Sequence, residues 1–404
     1  MSARSSKLDA YSSLRLHDYR LLLGGSFLSN LGLQMLSVAV SWDLYERTRS
    51  ALVLGNVGLV QVVPFVVLSL FAGHAADRYD RRLIMLLAQA LSLIVSIPLV
   101  FGFHSVPVIY SCLFLIASAR TFQGPARGAM IRQIVPAELV GNAVTWSSST
   151  QEISSVSGPA LAGLLLALAG SRTVYAVQCG CAILTLFCFA SLRSRTPPMT
   201  VAERRDAGSF LDGLRFVRDN QLILSAITLD LFGVLFGGAV ALLPIFAVDI
   251  LHAGPRELGW LRAAPSIGAV LMAVSMAHLP RIHRAGPALI ATVAGFGLAT
   301  IGFGFSRNLW LSLVMLLLTG AFDNVSVVLR HSLLQTRTPD YLRGRVLAVN
   351  NVFISCSNQL GAVESGWTAA WIGAVPSVWG GGLATLLVVG ICATVSPALR
   401  RWRQ

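Results

Sequence analysis

Long apolar runs separated by short polar intervals fill the chain almost from end to end. Twelve runs are candidate membrane spans: 20–44, 52–75, 82–103, 106–134, 139–169, 172–192, 221–250, 256–279, 286–305, 309–336, 341–372 and 377–399. A helix needs about 20 apolar residues to cross a bilayer, and each run is close to that or longer. An even count places both termini on one side. The longest polar interval, 193–220, holds Pro197-Pro198 and the charge run Glu203-Arg204-Arg205-Asp206. It sits at the midpoint, between a six-span half at 20–192 and another at 221–399, with tails at 1–19 and 400–404. Inside it, residues 210–217 alternate like a short amphipathic helix lying on the membrane surface. The expected fold is an all-α polytopic membrane protein with 12 transmembrane helices in two pseudo-symmetric six-helix halves.

An internal repeat supports the division. A shift of 203 residues lays Pro136-Ala137-Glu138-Leu139-Val140-Gly141 over Pro339-Asp340-Tyr341-Leu342-Arg343-Gly344, Arg127 over Arg330 and Gly158 over Gly361. Repeats with the same topology are related by an axis along the membrane normal.

Composition agrees with the pattern. The chain is 55% hydrophobic and only 12% charged, against about 25% charged in soluble domains, and its mean hydropathy is +0.70. The net charge of +13 does not point to nucleic acid, because the basic residues sit in short intervals between spans. With the alternating topology, 24 Lys and Arg fall on the side of the termini and six on the other, leaving Arg120 inside a span. That bias places both termini in the cytoplasm, and a bacterial cytoplasmic (inner) membrane is the expected location. The stretch 1–19 is polar and mixed, so no cleavable signal peptide is expected. The six cysteines lie within apolar runs and lack metal-site spacing and partners. No phosphate-binding loop of the Gly-x-x-x-x-Gly-Lys-Ser/Thr type occurs, so ATP is not the expected energy source. No cofactor, metal or enzyme chemistry is expected.

Charges inside spans are the candidate chemistry, since each is costly unless it faces protein or water. Arg120 lies in span 4 and Glu152 in span 5, equally far from Pro136 on either side. If the two spans form an antiparallel hairpin, the charges share a depth and would pair. Asp323 lies 203 residues after Arg120, at the equivalent place on span 10. Asp230 in span 7 and Glu364 in span 11 complete the set. Asp43 and Glu46, near the outer end of span 1, read as solvated helix-end charges.

Four stretches carry a family likeness. Between spans 2 and 3, Gly73-His74-Ala75-Ala76-Asp77-Arg78-Tyr79-Asp80-Arg81-Arg82 resembles the loop signature of the major facilitator superfamily of secondary transporters, with Asp80 where glycine is usual. The likeness implies that Gly73, Asp77, Arg78, Arg81 and Arg82 hold neighbouring helix ends together, Asp77 as the capping carboxylate and the arginines on terminal carbonyls. In span 4, Arg120-Thr121-Phe122-Gln123-Gly124 resembles the superfamily's helix 4 motif, which implies a coupling role for Arg120. In span 5, Ser154-x-x-x-Gly158-Pro159-x-x-Ala162-Gly163 resembles the helix 5 signature of proton-driven exporters, a hinge and seal of small residues around a helix-breaking proline. The stretch 333–345 narrows the likeness to the enterobactin exporter and macrolide-efflux-like branch.

The resemblance implies a monomeric secondary transporter, exchanging protons for a small organic molecule such as a siderophore, a macrolide or a related compound. Uptake by symport and lipid flipping remain alternatives within transport. A non-transporting membrane sensor is the alternative from another class.

Overall fold

A helix in hydrocarbon satisfies its backbone internally, so a chain of apolar runs folds as a set of helices. The computed structural model describes residues 10–193, 210–278 and 282–403. Among them, spans 1 to 4 are His17–Thr48, Ala51–Arg78, Arg81–Val100 and Val106–Ile134. Spans 8 to 12 are Pro255–His278, Ala285–Phe305, Leu309–Arg337, Asp340–Ile372 and Ala374–Val395. Polar side chains cap several starts: Ser50 accepts from the Val53 amide and Asn220 from that of Ile223, while Asn308 accepts from Trp310 and Leu311. Each cap supplies a partner for an otherwise orphaned amide.

Spans 5 and 6 run on as Val140–Ala190, broken at Gly170, where φ is +75°. A 51-residue rod would be about 75 Å long, far more than a bilayer core of about 30 Å. The break therefore makes two spans, and only glycine enters that backbone region at no steric cost. Gly373, between spans 11 and 12, repeats the device with φ +93°, and it lies 203 residues after Gly170. The two halves also share a contact. Thr185 of span 6 donates to the Gly25 carbonyl on span 1, and Thr385 of span 12 donates to the Gly233 carbonyl on span 7, both at 3.2 Å.

Span 7 departs from the expected single run over 221–250. Its helix Gln221–Phe236 stops at Gly237-Gly238 and continues as the short turns Ala239–Leu242, Leu243–Ile245 and the π-helical Phe246–Ile250. Glycine, and Pro244 with no N–H to give, account for the interruption. The linker helix Phe210–Asp219 does not lie free on a surface. Val217 is buried in the second half, and Asp212 meets Arg345 of span 11 at 3.3 Å. The Pro197-Pro198 pair and the charge run that follows lie outside the described residues.

The two halves touch mainly toward the face opposite the termini. A Cβ added to Gly55 of span 2 would lie 2.8 Å from the Gly366 Cα of span 11. One added to Gly163 of span 5 would lie 2.7 Å from the Gly259 Cα of span 8. Glycine permits this approach because any side chain would separate the helices. Toward the termini face these glycine contacts are absent: a Cβ on Gly73 of span 2, Gly141 of span 5 or Gly344 of span 11 would meet nothing within 4 Å, as would one on Gly124 or Gly128 of span 4. The molecule is sealed at one face and cleft at the other.

Candidate functional site

The cleft brings the mid-span charges to one level but not into contact. Arg120, counted from Val106 along span 4, stands at the same register as Asp323 counted from Leu309 along span 10, so the two share a depth. Glu152, counted along span 5 from Val140 at the opposite face, is level with them. The expected Arg120–Glu152 pair is not present. Span 4 packs on spans 2 and 3, whereas span 5 packs on spans 1 and 8. The two charges stand on separate walls, each with open surface. Equal distance from a turn gives two residues a common depth but not contact, because a loop joins helix ends without making their middles neighbours. The next charge along its own helix is Arg127, two turns on from Arg120.

The second half holds a compact ionic group. Asp230 of span 7 pairs through Oδ1 with Nη1 of Arg330 on span 10, and both side chains are buried. The sequence count puts Arg330 among the charges flanking the spans, yet it is 1% exposed and lies within span 10. Its Nε and Nη2 have no hydrogen-bond partner among the described residues. Asp230 and Asp323 line one pocket with Ser326, Thr292, Phe296 and Phe322. The group thus has two carboxylates and one guanidinium. Asp323 keeps some open surface at the level of Glu152, so the group faces the cleft.

The first half has a matching pocket of different chemistry. Ser29 and Gln123 both donate to Gln89 Oε1, at 3.1 and 3.3 Å, and Gln178 lines the same space. Gln123 is therefore part of an amide cluster, while its neighbour Gly124 faces open space.

The remaining motif residues divide. In the expected polar hinge, Gly73 to Arg78 are the last turns of span 2, leaving only Tyr79 and Asp80 as the turn. The capping carboxylate is Asp80, which accepts from the Arg82 amide at 2.9 Å; Asp77 and Arg78 are exposed. Asp80, standing where glycine is usual, is thus the N-cap of span 3. Arg81 reaches the carbonyls of Ala76 (3.3 Å) and Ala129 (3.4 Å), and Arg82 those of Phe189 (3.1 Å) and Ala190. They bind spans 2, 4 and 6 of one half together. In span 5, Gly158 packs on span 1 at Leu31 and Gln34, while Pro159 and Gly163 pack on span 8 at Gly259. Glu364 accepts from Ser365 at 3.3 Å beside the Gly55–Gly366 seam.

Sequence reasoning missed the closed end. Tyr45 and Arg49 of the first half both bind Asp249 of the second, the latter at 3.1 Å. Trp367 donates to Asn56 at 3.0 Å. Arg262 of span 8 donates to Ser41 (3.1 Å) and Ser37 (2.7 Å) of span 1. Asp43 is 3% exposed rather than solvated, held by His104 at 3.0 Å and Tyr175 at 2.8 Å. Nothing in sequence spacing links these residues. The repeat lays Arg330 over Arg127, which the topology count also treats as a charge flanking the spans, so it gave no separate sign of burial.

Comparison with known proteins agrees with this architecture. The chain is 27% identical to the multidrug efflux pump Tap of Mycolicibacterium fortuitum over 94% of its length and 96% of the relative's. It is 29% identical to the enterobactin exporter EntS of Shigella boydii serotype 4, over 97% and 95%. Among solved structures, the D-xylose–proton symporter superposes with a TM-score of 0.74 at 16% identity, covering 95% of this chain and 98% of that one. An inward-facing, occupied bacterial homologue of the lysosomal transporter Spinster gives 0.75 at 13%, covering 98% and 99%. The family profile described as transmembrane secretion effector matches residues 8–404; the chain belongs to that family, within the major facilitator superfamily of transporters.

Proposed function

We propose that this transporter exports a small organic molecule in exchange for protons, by alternating access between the two halves. The observation that carries the reading is the Asp230–Arg330–Asp323 group. Asp230 holds Arg330 while Asp323 lines the same poorly solvated pocket without a bond to the guanidinium, and like charges at close quarters resist ionising together. One proton is therefore exchangeable there. Its gain or loss changes which carboxylate holds Arg330, and with it the packing of span 7 on span 10. That is a two-state element biased by protonation. Arg120 and Glu152, on the facing walls, are placed to contact substrate or to take part in the exchange. The likeness to the two exporters favours efflux over uptake, and siderophores, macrolides and related compounds are the first classes to test.

The moving bodies are taken as residues 20–192 and 221–399, joined by the linker 193–220, with cytoplasmic tails at 1–19 and 400–404. Arg127, Arg330 and Arg262 must leave the topology count, since all three lie within spans. The remaining bias still favours cytoplasmic termini in a bacterial inner membrane. On that orientation the cleft opens to the cytoplasm, the conformation that loads cargo for export. It also accounts for the exposure of Asp77 and Arg78: their partners would come from the other half when the inner side closes. A monomer suffices, because both walls of the cleft come from one chain. Nothing in the group requires a cofactor.

The test is uptake into inverted vesicles of a panel containing a catecholate siderophore and a macrolide, with and without a pH gradient. Gradient-dependent accumulation that nigericin abolishes is expected. Accumulation indifferent to nigericin would overturn proton coupling.

A further inference from the structure

Among the described residues, Arg262 is a cation without a counter-ion at the closed end of the cleft. Its fixed partners are two neutral hydroxyls, Ser41 Oγ at 3.1 Å from Nη1 and Ser37 Oγ at 2.7 Å from Nη2. A guanidinium carries five N–H donors, and these bonds use two. Among the described residues no carboxylate lies within salt-bridge distance of it. An uncompensated arginine within a span is costly, and such residues face a polar cavity or a partner.

Most acids near this end are committed elsewhere, and Glu46 is exposed at the outer end of span 1, more than a turn beyond Ser41. Asp43 is held by His104 and Tyr175. Asp249 binds Tyr45 and Arg49. Glu257 accepts from the Gly254 amide at 2.9 Å. Glu364 lies on the span 2–span 11 seam. Glu152 is out of reach by register. Gly163 and Gly259 abut; Glu152 lies about three helical turns below the first, and Arg262 about one turn below the second. At about 1.5 Å per residue the two differ in depth by about 12 Å.

The position is equally specific. Arg262 is one helical turn inside the Gly163–Gly259 seam, so it forms part of the ceiling of the cleft. Arg262, Ser37 and Ser41 all keep partly open surfaces. Gln34, one turn below Ser37 on the same face of span 1, adds an amide that donates to Ser155 at 3.1 Å. The result is a polar stripe ending in a positive charge.

We infer that Arg262 is the docking site for an anionic group of the transported molecule, a carboxylate, sulfonate or comparable oxyanion on an otherwise apolar body, which takes the place of Ser37 and Ser41 on the guanidinium. An oxyanion makes charge-assisted bonds to the guanidinium that serine hydroxyls cannot match. Because Arg262 belongs to one half and the serines to the other, an arriving anion would compete for a bond that holds the closed end together. Binding at the ceiling would thereby loosen the seal. The inference deepens the exporter reading by naming the cargo's charge, but its test needs no gradient.

The probes are 1-anilinonaphthalene-8-sulfonate and N-phenyl-1-naphthylamine, which share an aryl amine body and differ by the sulfonate. Fluorescence titration is done on the full chain in lipid nanodiscs, with empty nanodiscs subtracted. Arg262→Gln is expected to weaken sulfonate binding at least tenfold while leaving the neutral probe within twofold. Arg262→Lys, which keeps the charge, should recover part of the loss. Ser37→Ala combined with Ser41→Ala should hold or tighten sulfonate binding, because the competing hydroxyls are gone. The neutral probe controls for folding. Sulfonate binding unchanged in Arg262→Gln, equal loss of both probes, or a loss confined to Arg120→Gln would each overturn the inference.

Discussion

The two halves share a scaffold and differ in what fills it. Each has a pocket between its first, third and fourth spans. Gln89 corresponds to Thr292 and Gln123 to Ser326 under the 203-residue shift. The first pocket is closed by neutral amides and hydroxyls bonded to each other. The second has two carboxylates and an arginine with spare donors. Even the equivalent arginines differ: Arg330 is fully buried and paired, whereas Arg127 is half-buried with no salt bridge among the described residues. One half therefore reads as a stable wall and the other as the titrating element. Identical folds do not imply identical work, because chemistry resides in a few side chains.

The largest expected effect comes from breaking the charged pocket. Arg330→Gln leaves Asp230 buried without its partner and should cost about 3–5 kcal/mol of stability, read as lost monodispersity or lower thermal unfolding in detergent. Adding Asp230→Asn should recover most of that stability but not gradient-driven export. Next is the seam. Gly259→Leu forces span 8 away from Gly163 and should abolish export, with a stability loss of about 1–3 kcal/mol; normal export would show that the seam need not close. Removing the span 3 cap with Asp80→Ala should cost about 1 kcal/mol, while Asp77→Asn should stay within about 0.5 kcal/mol and slow turnover only. The smallest effect belongs to the neutral pocket. Gln123→Leu removes one hydrogen bond, worth about 0.6 kcal/mol within a membrane, and should leave coupling intact. A Gln123→Leu variant as uncoupled as the charged-pocket variants would erase the distinction between the halves.

Much of this was legible in the sequence. Apolar runs gave the spans because hydrocarbon leaves the backbone few choices, and the repeat gave the halves. The depth of Arg120, Glu152 and Asp323 followed from counting residues along helices. What counting could not supply was azimuth and neighbour. Arg120 and Glu152 share a level on walls that do not touch. Arg330 and Arg262 looked like span-end charges because hydropathy does not register which way a helix end faces. Asp80 took the cap expected of Asp77 because span 2 runs on to Arg78, and a terminal turn more or less is decided by local bonds rather than composition.

The most direct test of the account is the response of Asp323→Asn to a proton gradient, measured beside wild type with the best-transported compound of the panel. The variant should lose gradient-driven accumulation in inverted vesicles yet still exchange labelled for unlabelled compound without a gradient, since the cleft and its seams are untouched. Gradient-driven accumulation equal to that of wild type would contradict the assignment of the proton to the second half.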